Sequence, residues 1–158
     1  MIHDTIRPLI RLASLPDLGA LSELRRELWP EIDLEENTRE LTAILRGQQV
    51  GTLPLVIFVA RAEDGALLGF IEVGLRSHAD GCDKRMPVGY VEGWLVREGH
   101  RRQGVGGQLL AAAEEWARSQ GCLEMASDAV IENDVSQRAH KALGFEVVDR
   151  CVNYRKAL

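Results

Sequence analysis

The chain has 158 residues, 46% hydrophobic and 27% charged, an ordinary composition for one globular domain with its own core. Its 24 acidic residues outnumber the 19 basic ones and give a formal net charge of −5, which argues against a nucleic acid or an anionic membrane surface as partner. No apolar run approaches the roughly 18 residues of a membrane span. We therefore expect a single domain over residues 1–158.

The cysteines and the N-terminal residues indicate the cellular location of the protein and whether it has disulfides or a cysteine metal site. Cys82, Cys122 and Cys151 are scattered and form no Cys-x-x-Cys pair, so they predict neither a disulfide framework nor a metal site. Asp4 and Arg7 lie where a secretory signal would need an apolar core. Reduced thiols without a signal predict a cytoplasmic protein.

The first half of the chain combines helical and strand patterns. Ser14 is placed as the N-cap of a helix whose leucines repeat at helical spacing, and Gly47 follows a second helix. The turn Asp64-Gly65 joins two β-branched runs into a hairpin. The predicted elements are a strand at 10–12, a helix from Ser14 to about Trp29, a helix that ends before Gly47, and strands at 55–60 and 67–73.

The stretch from Tyr90 to Trp116 carries the strongest signal. Residues 90–96 predict a strand that is broken by a bulge at Glu92-Gly93. A polar, basic loop follows, and from Gly104 onward apolar residues recur at helical spacing. A strand that leads through a glycine-rich basic turn into a helix forms an anion site, because the free N–H groups and the dipole of the helix start face the ligand.

The turn itself reads Arg-Arg-Gln-Gly-Val-Gly at residues 101–106. It lacks the Lys-Ser/Thr of a Walker loop, and Leu109 replaces the third glycine of the dinucleotide fingerprint. It fits Arg/Gln-x-x-Gly-x-Gly/Ala and resembles motif A of the GNAT superfamily, the acyl-CoA-dependent N-acetyltransferases. The alternative is a plain β–turn–α connection without a ligand.

The resemblance to motif A implies a binding mode for acetyl-CoA as cosubstrate. The loop and the helix start would hold the pyrophosphate, and the preceding strand would pair with the pantetheine arm. The implied cofactor contacts are Leu95, Val96, Arg101, Arg102, Gln103, Gly104, Val105, Gly106, Gly107, Asn133 and His140.

The rest of the chain extends the resemblance. The further predicted elements are a strand at 122–129, a helix from Asn133 or Asp134 to Leu143, and strands at 145–148 and 151–155. The order β-α-α-β-β-β-α-β-α-β-β is that of the GNAT fold. It implies an α/β (α+β) domain with a mixed central sheet of about six to seven strands flanked by about four helices.

Short segments outside motif A narrow the family. The chain resembles the aminoglycoside 6'-N-acetyltransferases in Leu28-Trp29-Pro30, residues 80–83, residues 90–93, residues 124–128 and residues 140–145. The resemblance implies acetyl transfer from acetyl-CoA to the 6'-amine of an aminoglycoside, by direct attack in a ternary complex and without a metal. It also implies a homodimer that pairs through the C-terminal strands.

An aminoglycoside is a polycation rich in hydroxyls, so its site needs carboxylates and an aromatic wall. The family's substrate-facing positions match Trp29, Glu92 and Asp128, with His78 and Asp33 as further candidates. The alternatives are a core position for Trp29, an internal salt bridge to an arginine for Glu92, and a turn or cap for Asp128. His78 stands where relatives carry a tyrosine, a departure that bears on substrate range rather than on reaction type. The acidic segment that contains Asp33 either binds a cation or is a solvated helix start.

The resemblance also implies catalytic roles. Asp128 is predicted to accept the proton of the amine and Glu92 to help position the substrate. The amide of Leu95, beside the bulge, is predicted to bond the thioester oxygen. His140 occupies the place of a general acid in many relatives, with a buried structural histidine as the alternative. Asn133 either bonds the pantetheine arm or caps its helix.

Two other functions stay open. One is a GNAT enzyme that acts on a polyamine, an amino acid or a protein N-terminus. The other is a CoA-binding module without turnover, against which the retained Glu92 and Asp128 speak, because such a module has no need of substrate carboxylates.

Overall fold

A computed structural model describes residues 7–158; the first six residues, including Asp4, lie outside the described part. The strands are β1 (Leu9–Leu12), β2 (Leu55–Arg61), β3 (Leu67–Arg76), β4 (Val88–Val96) and β5 (Met125–Ser127). The helices are α1 (Leu18–Leu28), α2 (Leu34–Leu45), α3 (Val105–Ser119) and α4 (Asp134–Ala142), with 3-10 turns at Leu15–Asp17 and Glu98–His100. This mixed α/β architecture confirms the predicted fold class, with five strands among the described residues.

The five strands form one sheet in the order β1-β2-β3-β4-β5. All neighbours are antiparallel except β4 and β5, which are parallel. Because successive side chains of a strand point to opposite faces, Phe70 of β3 packs with α1 and α2, whereas Ile71 packs with α3. Burying one such side chain contributes about 1.5–3 kcal/mol. The sheet is therefore fixed between two helical layers.

The predicted bulge lies at the predicted place in β4. Glu72 of β3 pairs with Gly93, and the next residue, Val73, pairs with Val91, so Glu92 is the extra residue. Gly93 is required here because a Cβ at this position would lie 2.6 Å from the ring of Trp29. The end of α1 thus packs directly on the bulge.

A buried ion cluster, which the sequence does not signal, joins α1 and α2 to the sheet. Arg25 is 2% exposed and donates two hydrogen bonds of 2.7 Å to Glu72. The same guanidinium donates to Asn37 and Glu40 of α2. Burial raises the pKa of Glu72, and the hydrogen bonds and charge of Arg25 oppose that rise. Arg25 also lies 5.7 Å from the ring of Trp29, so the cluster supports the tryptophan beside the bulge.

The two predicted C-terminal strands are wrong. Residues 145–158 form no strand in the structure, and most of their side chains are exposed. A β-branched pattern expresses only a propensity, and a strand forms only where a neighbour supplies its hydrogen bonds. The preceding strand is also shorter than predicted, since β5 covers residues 125–127 rather than 122–129.

The described residues carry three free cysteines. Across residues 7–158, no helix is both long enough and apolar enough to cross a membrane. In the same range, no group of three or more histidine, cysteine or carboxylate side chains is arranged to hold a metal ion.

Candidate active site

The parallel pairing of β4 and β5 is short and leaves an opened edge. It runs from Gly89–Met125 to Val91–Ser127, whereas β4 continues to Val96. Beyond Val91, the edge of β4 that faces away from β3 has no strand partner among the described residues. Its backbone N–H groups are available to an extended ligand.

The register decides which amides face this opened edge. Arg97 donates its N–H to the carbonyl of Leu68 at 2.8 Å, toward β3. Alternate amides of a strand point the same way, so the Leu95 amide also faces β3. Consistent with this, a Cβ on Gly69 of β3 would collide with the Leu95 carbonyl oxygen. The Leu95 amide, the predicted thioester contact, therefore faces β3, whereas the N–H groups of its neighbours Trp94 and Val96 face the opened edge.

The start of α3 is open to solvent at the place predicted for the phosphates. Gly104 is the N-cap in a left-handed conformation with φ +82°, and a Cβ there would find its nearest atom only at 4.0 Å. Arg101 folds back and donates from Nε to the Val96 carbonyl at 2.8 Å. Arg102 also adopts a positive φ, of 60°. The basic loop is thus held against the end of β4.

The next residues contribute packing as well as backbone. Val105 is buried in the core beneath α3. Gly106 lies against the Trp94 ring, where a Cβ would stand 3.4 Å away, and Gly107 lies against Leu143 in the same manner. These three residues are the first of α3, so their N–H groups are the ones that a ligand at the helix start would meet.

Several buried polar atoms around the loop have no hydrogen-bond partner within the described chain. They are Trp94 Nε1, Arg97 Nε, His100 Nδ1 and Gln103 Oε1, of which Arg97 Nε still lies 3.3 Å from the Glu27 carboxylate. Unsatisfied buried groups are rare in folded proteins, and a bound polar ligand is one means of satisfying them. Their position beside the opened edge and the start of α3 fits a ligand with amide and phosphate groups.

Glu92 and Asp128 stand at the two ends of one chain of contacts. Arg76 donates from Nε and Nη2 to the Glu92 carboxylate at 2.9 and 2.7 Å. The guanidinium carbon lies 3.4 Å from the centre of the Tyr90 ring. The Tyr90 hydroxyl donates to Asp128 Oδ2 at 2.9 Å. The arginine salt bridge named above as the alternative for Glu92 is thus present, and the Glu92 side chain remains 29% exposed.

Tyr90 is the most strongly shifted titrating group in this network. Burial and the hydrogen bond to Asp128 raise the pKa of the Tyr90 phenol to about 12. The phenol therefore stays protonated throughout the physiological range. It acts as a fixed hydrogen-bond donor to Asp128 and not as a base.

The other predicted substrate residues fall in different places. His78 lines a cavity of about 390 Å³ together with Arg76 and Glu92. Trp29 reaches the bulge from the other side, against Gly93. Asp33 does not line the cavity and caps α2, where its carboxylate accepts the Glu36 N–H at 2.8 Å, which corresponds to the helix-start alternative.

His140 and Asn133 have structural contacts. The His140 ring stacks edge-on against Trp94 and Phe145, with centroids 5.4 and 5.2 Å away. Its Nδ1 lies 2.7 Å from the Ser136 carbonyl and its Nε2 lies 2.8 Å from the Ser127 hydroxyl. A carbonyl only accepts, so Nδ1 carries the proton. Asn133 accepts the Ser136 N–H and caps α4, whereas the general-acid role of His140 stays a prediction.

Arg76 and the Tyr90 hydroxyl join this network although neither was predicted from the sequence. One signal for the tyrosine was available, because a polar aromatic residue in a buried strand usually finds a partner for its hydroxyl. No local signal pointed to Arg76, which lies 16 residues from Glu92 along the chain.

Comparison with known proteins places this geometry in a family. Residues 18–145 match the acetyltransferase (GNAT) family, to which the chain belongs. Aminoglycoside N(6')-acetyltransferase type 1 of Klebsiella aerogenes is 40% identical over 151 residues, which cover 96% of this chain and 97% of the relative. The protein of the same name from Serratia marcescens is 43% identical over 143 residues, which cover 90% of this chain and 94% of the relative.

Solved structures agree with these relatives. The aminoglycoside N-acetyltransferase AAC(6')-Iy in complex with CoA is 35% identical, has a TM-score of 0.86, and the match covers 100% of both chains. AAC(6')-Iy in complex with the bisubstrate analogue CoA-S-monomethyl-acetylneamine is 36% identical, with a TM-score of 0.85 and coverage of 96% of this chain and 99% of that one.

Proposed function

We propose that this protein transfers an acetyl group from acetyl-CoA to the 6'-amine of an aminoglycoside. The observation that carries the proposal is the linked pair Glu92 and Asp128, which offers two carboxylates to a cationic substrate beside an opened strand edge and a phosphate-type loop. The relatives of about 40% identity support the same reaction.

The chemistry is a direct acyl transfer. The neutral 6'-amine attacks the thioester carbonyl carbon, a C–N bond forms, the C–S bond breaks, and CoA leaves as the thiolate. Asp128 accepts the proton that the amine releases, directly or through one water, because it is exposed at the end of β5. Glu92 binds a second ammonium group and orients the sugar rings.

The opened edge stabilises the reacting carbonyl. Trp94 and Val96 present their N–H groups there, and a fixed donor aimed at the developing oxyanion is among the strongest catalytic devices. The start of α3 holds the diphosphate of CoA through its free N–H groups. The ring nitrogens of His140, the predicted general acid for the thiolate, bond Ser136 and Ser127 in the free protein, and its role in that proton transfer stays a prediction.

The reaction is tested by the release of free thiol from acetyl-CoA. With kanamycin, which carries a 6'-amine, we expect rapid release. With an analogue in which a hydroxyl replaces that amine, we expect release at the background rate of acetyl-CoA hydrolysis, since the attacking group is absent. The measurement is the initial rate of thiol formation with the purified protein.

Other outcomes would contradict the proposed substrate or the proposed position of transfer. Equal release with both compounds would contradict transfer to the 6' position. No release with either, together with tight CoA binding, would contradict the aminoglycoside proposal and leave another amine or a module without turnover. Release with a peptide mixture alone would favour a protein N-terminus as substrate.

We also propose that the protein is a cytoplasmic homodimer that pairs through its C-terminal segment, residues 145–158. Val148, Val152 and Tyr154 are exposed there, and the outer edge of β5 borders a cavity of about 260 Å³. Such an edge and such side chains are suited to pairing with a second copy. The proposed cytoplasmic location is supported by the three cysteines, which are all free thiols in the described residues.

The dimer is tested by the mass in solution. Light scattering is expected to give twice the 17.5 kDa of one chain, and V148D/V152D is expected to give a single chain, because two buried charges oppose the contact. A monomeric parent protein, or an unchanged dimer in the variant, would contradict this interface.

A further inference from the structure

We propose that Arg76 is a positioning residue that joins Glu92 and Asp128 into one unit of fixed spacing. The inference rests on the proposed function, since it concerns how the two carboxylates are held for the aminoglycoside.

The geometry of the Arg76 guanidinium carries the inference. Its edge donates two parallel hydrogen bonds to Glu92, at 2.9 and 2.7 Å. Its flat face lies on the Tyr90 ring, with the guanidinium carbon 3.4 Å from the ring centre. Only arginine combines a bidentate grip on a carboxylate with stacking on an aromatic face. The Arg76 side chain is thus fixed by Glu92 at its edge and by Tyr90 at its face.

The chain of contacts continues to the second carboxylate. Tyr90 belongs to β4, is 8% exposed, and donates its hydroxyl to Asp128. Because the phenol remains protonated, this donor is always present. Glu92 sits on the bulge, where the ladder to β3 is interrupted, and Arg76 at the end of β3 restrains its side chain. Displacement of Arg76 would therefore loosen Glu92 and the ring that supports the Asp128 contact.

Stability does not account for this arrangement. The side chain of Arg76 is 44% exposed, and ion pairs at such exposed positions contribute little to stability. Affinity for a cation does not account for it either, since the guanidinium charge offsets that of Glu92 and weakens the attraction for an ammonium group. The remaining role is orientation, which affects turnover more than binding.

This separation of turnover from binding defines the test. In R76Q we expect kcat with kanamycin to fall about tenfold, because a misplaced reacting group costs up to roughly 100-fold in rate. The KM for kanamycin is expected to stay equal or to decrease, since a positive charge is removed. R76K keeps the charge but loses the bidentate and stacking geometry, so we expect a similar loss of kcat.

Controls separate positioning from damage to the fold. R85Q removes a comparable exposed arginine that grips Asp83 bidentately in the neighbouring loop, and it is expected to match the parent protein. The KM for acetyl-CoA is expected to stay constant in all variants. Y90F breaks the same chain at its next link, so R76Q/Y90F is expected to lose less activity than the product of the two single losses.

The inference is overturned if R76Q keeps the parent kcat, or if R76K restores it fully, because charge alone would then suffice. A raised KM for kanamycin at unchanged kcat would also overturn it, since Arg76 would then act in binding. Failure of the proposed function is a separate result, because the parent protein itself would then release no thiol with kanamycin.

Discussion

Replacing Asp128 by asparagine is expected to lower kcat with kanamycin about 100- to 1000-fold, the usual contribution of a positioned general base. Asparagine keeps the size of the side chain, and its carbonyl oxygen still accepts the Tyr90 hydroxyl that Asp128 accepts at 2.9 Å. The amide does not take up the proton that the attacking amine must lose. The D128N variant therefore tests proton transfer with little change in geometry. Steady-state thiol release measures kcat, and calorimetric titration measures the affinity for CoA.

The controls for D128N follow from the same geometry. CoA affinity is expected to be unchanged, because the loop and the start of α3 lie apart from Asp128 in the chain. D64N alters an aspartate in the β2–β3 turn whose side chain accepts the Ala66 N–H, a contact that asparagine preserves, so parent activity is expected. The residual rate of D128N is expected to rise with pH as more of the substrate amine is neutral. Unchanged turnover in D128N would remove Asp128 from the mechanism.

The bulged strand β4, the loop after it and the start of α3 were predictable, because each depends on residues that are neighbours in the sequence. The change from strand to helical periodicity between β4 and α3 is a property of neighbouring residues, and so is the glycine that opens α3. The polar Glu92 before a glycine marked the bulge for the same reason. An isolated polar residue in an apolar strand is favoured at a bulge, where it is not part of the regular strand pairing. These features were correct to within one or two residues.

Contacts between distant parts of the chain were not predictable in this manner. Arg25 and Glu72 are 47 residues apart, and nothing near either residue identifies the other. The position of the bulge was predicted correctly, but the direction of the amides beyond it depends on the register with β3, which lies about 25 residues earlier in the chain; that register turns the Leu95 amide toward β3. The C-terminal strands failed because residues 145–158 have the composition of strands but find no strand partner within the described chain.

Replacing Gly104 by leucine is expected to weaken CoA binding by at least roughly 100-fold. The glycine caps α3 with a φ of +82°, and the space beyond its α-carbon is open as far as Gln108, 4.0 Å from an added Cβ. A leucine would extend into that space, where the proposed diphosphate meets the N–H groups of the helix. The loss of one or two charge-assisted hydrogen bonds, about 1.5–3 kcal/mol each, accounts for such a change in Kd. Calorimetry with CoA measures it.

The same helix supplies a matched control at its other end. Gly121 follows α3 with a φ of +87° and has no atom within 4 Å of an added Cβ. G121L therefore carries the same backbone strain as G104L, about 1 kcal/mol of stability in each, without touching the start of α3. We expect equal losses of thermal stability in the two variants and a loss of CoA affinity in G104L alone. Equal CoA affinity in both would contradict the phosphate-binding role of this loop, because strain would then be the only effect of the substitution.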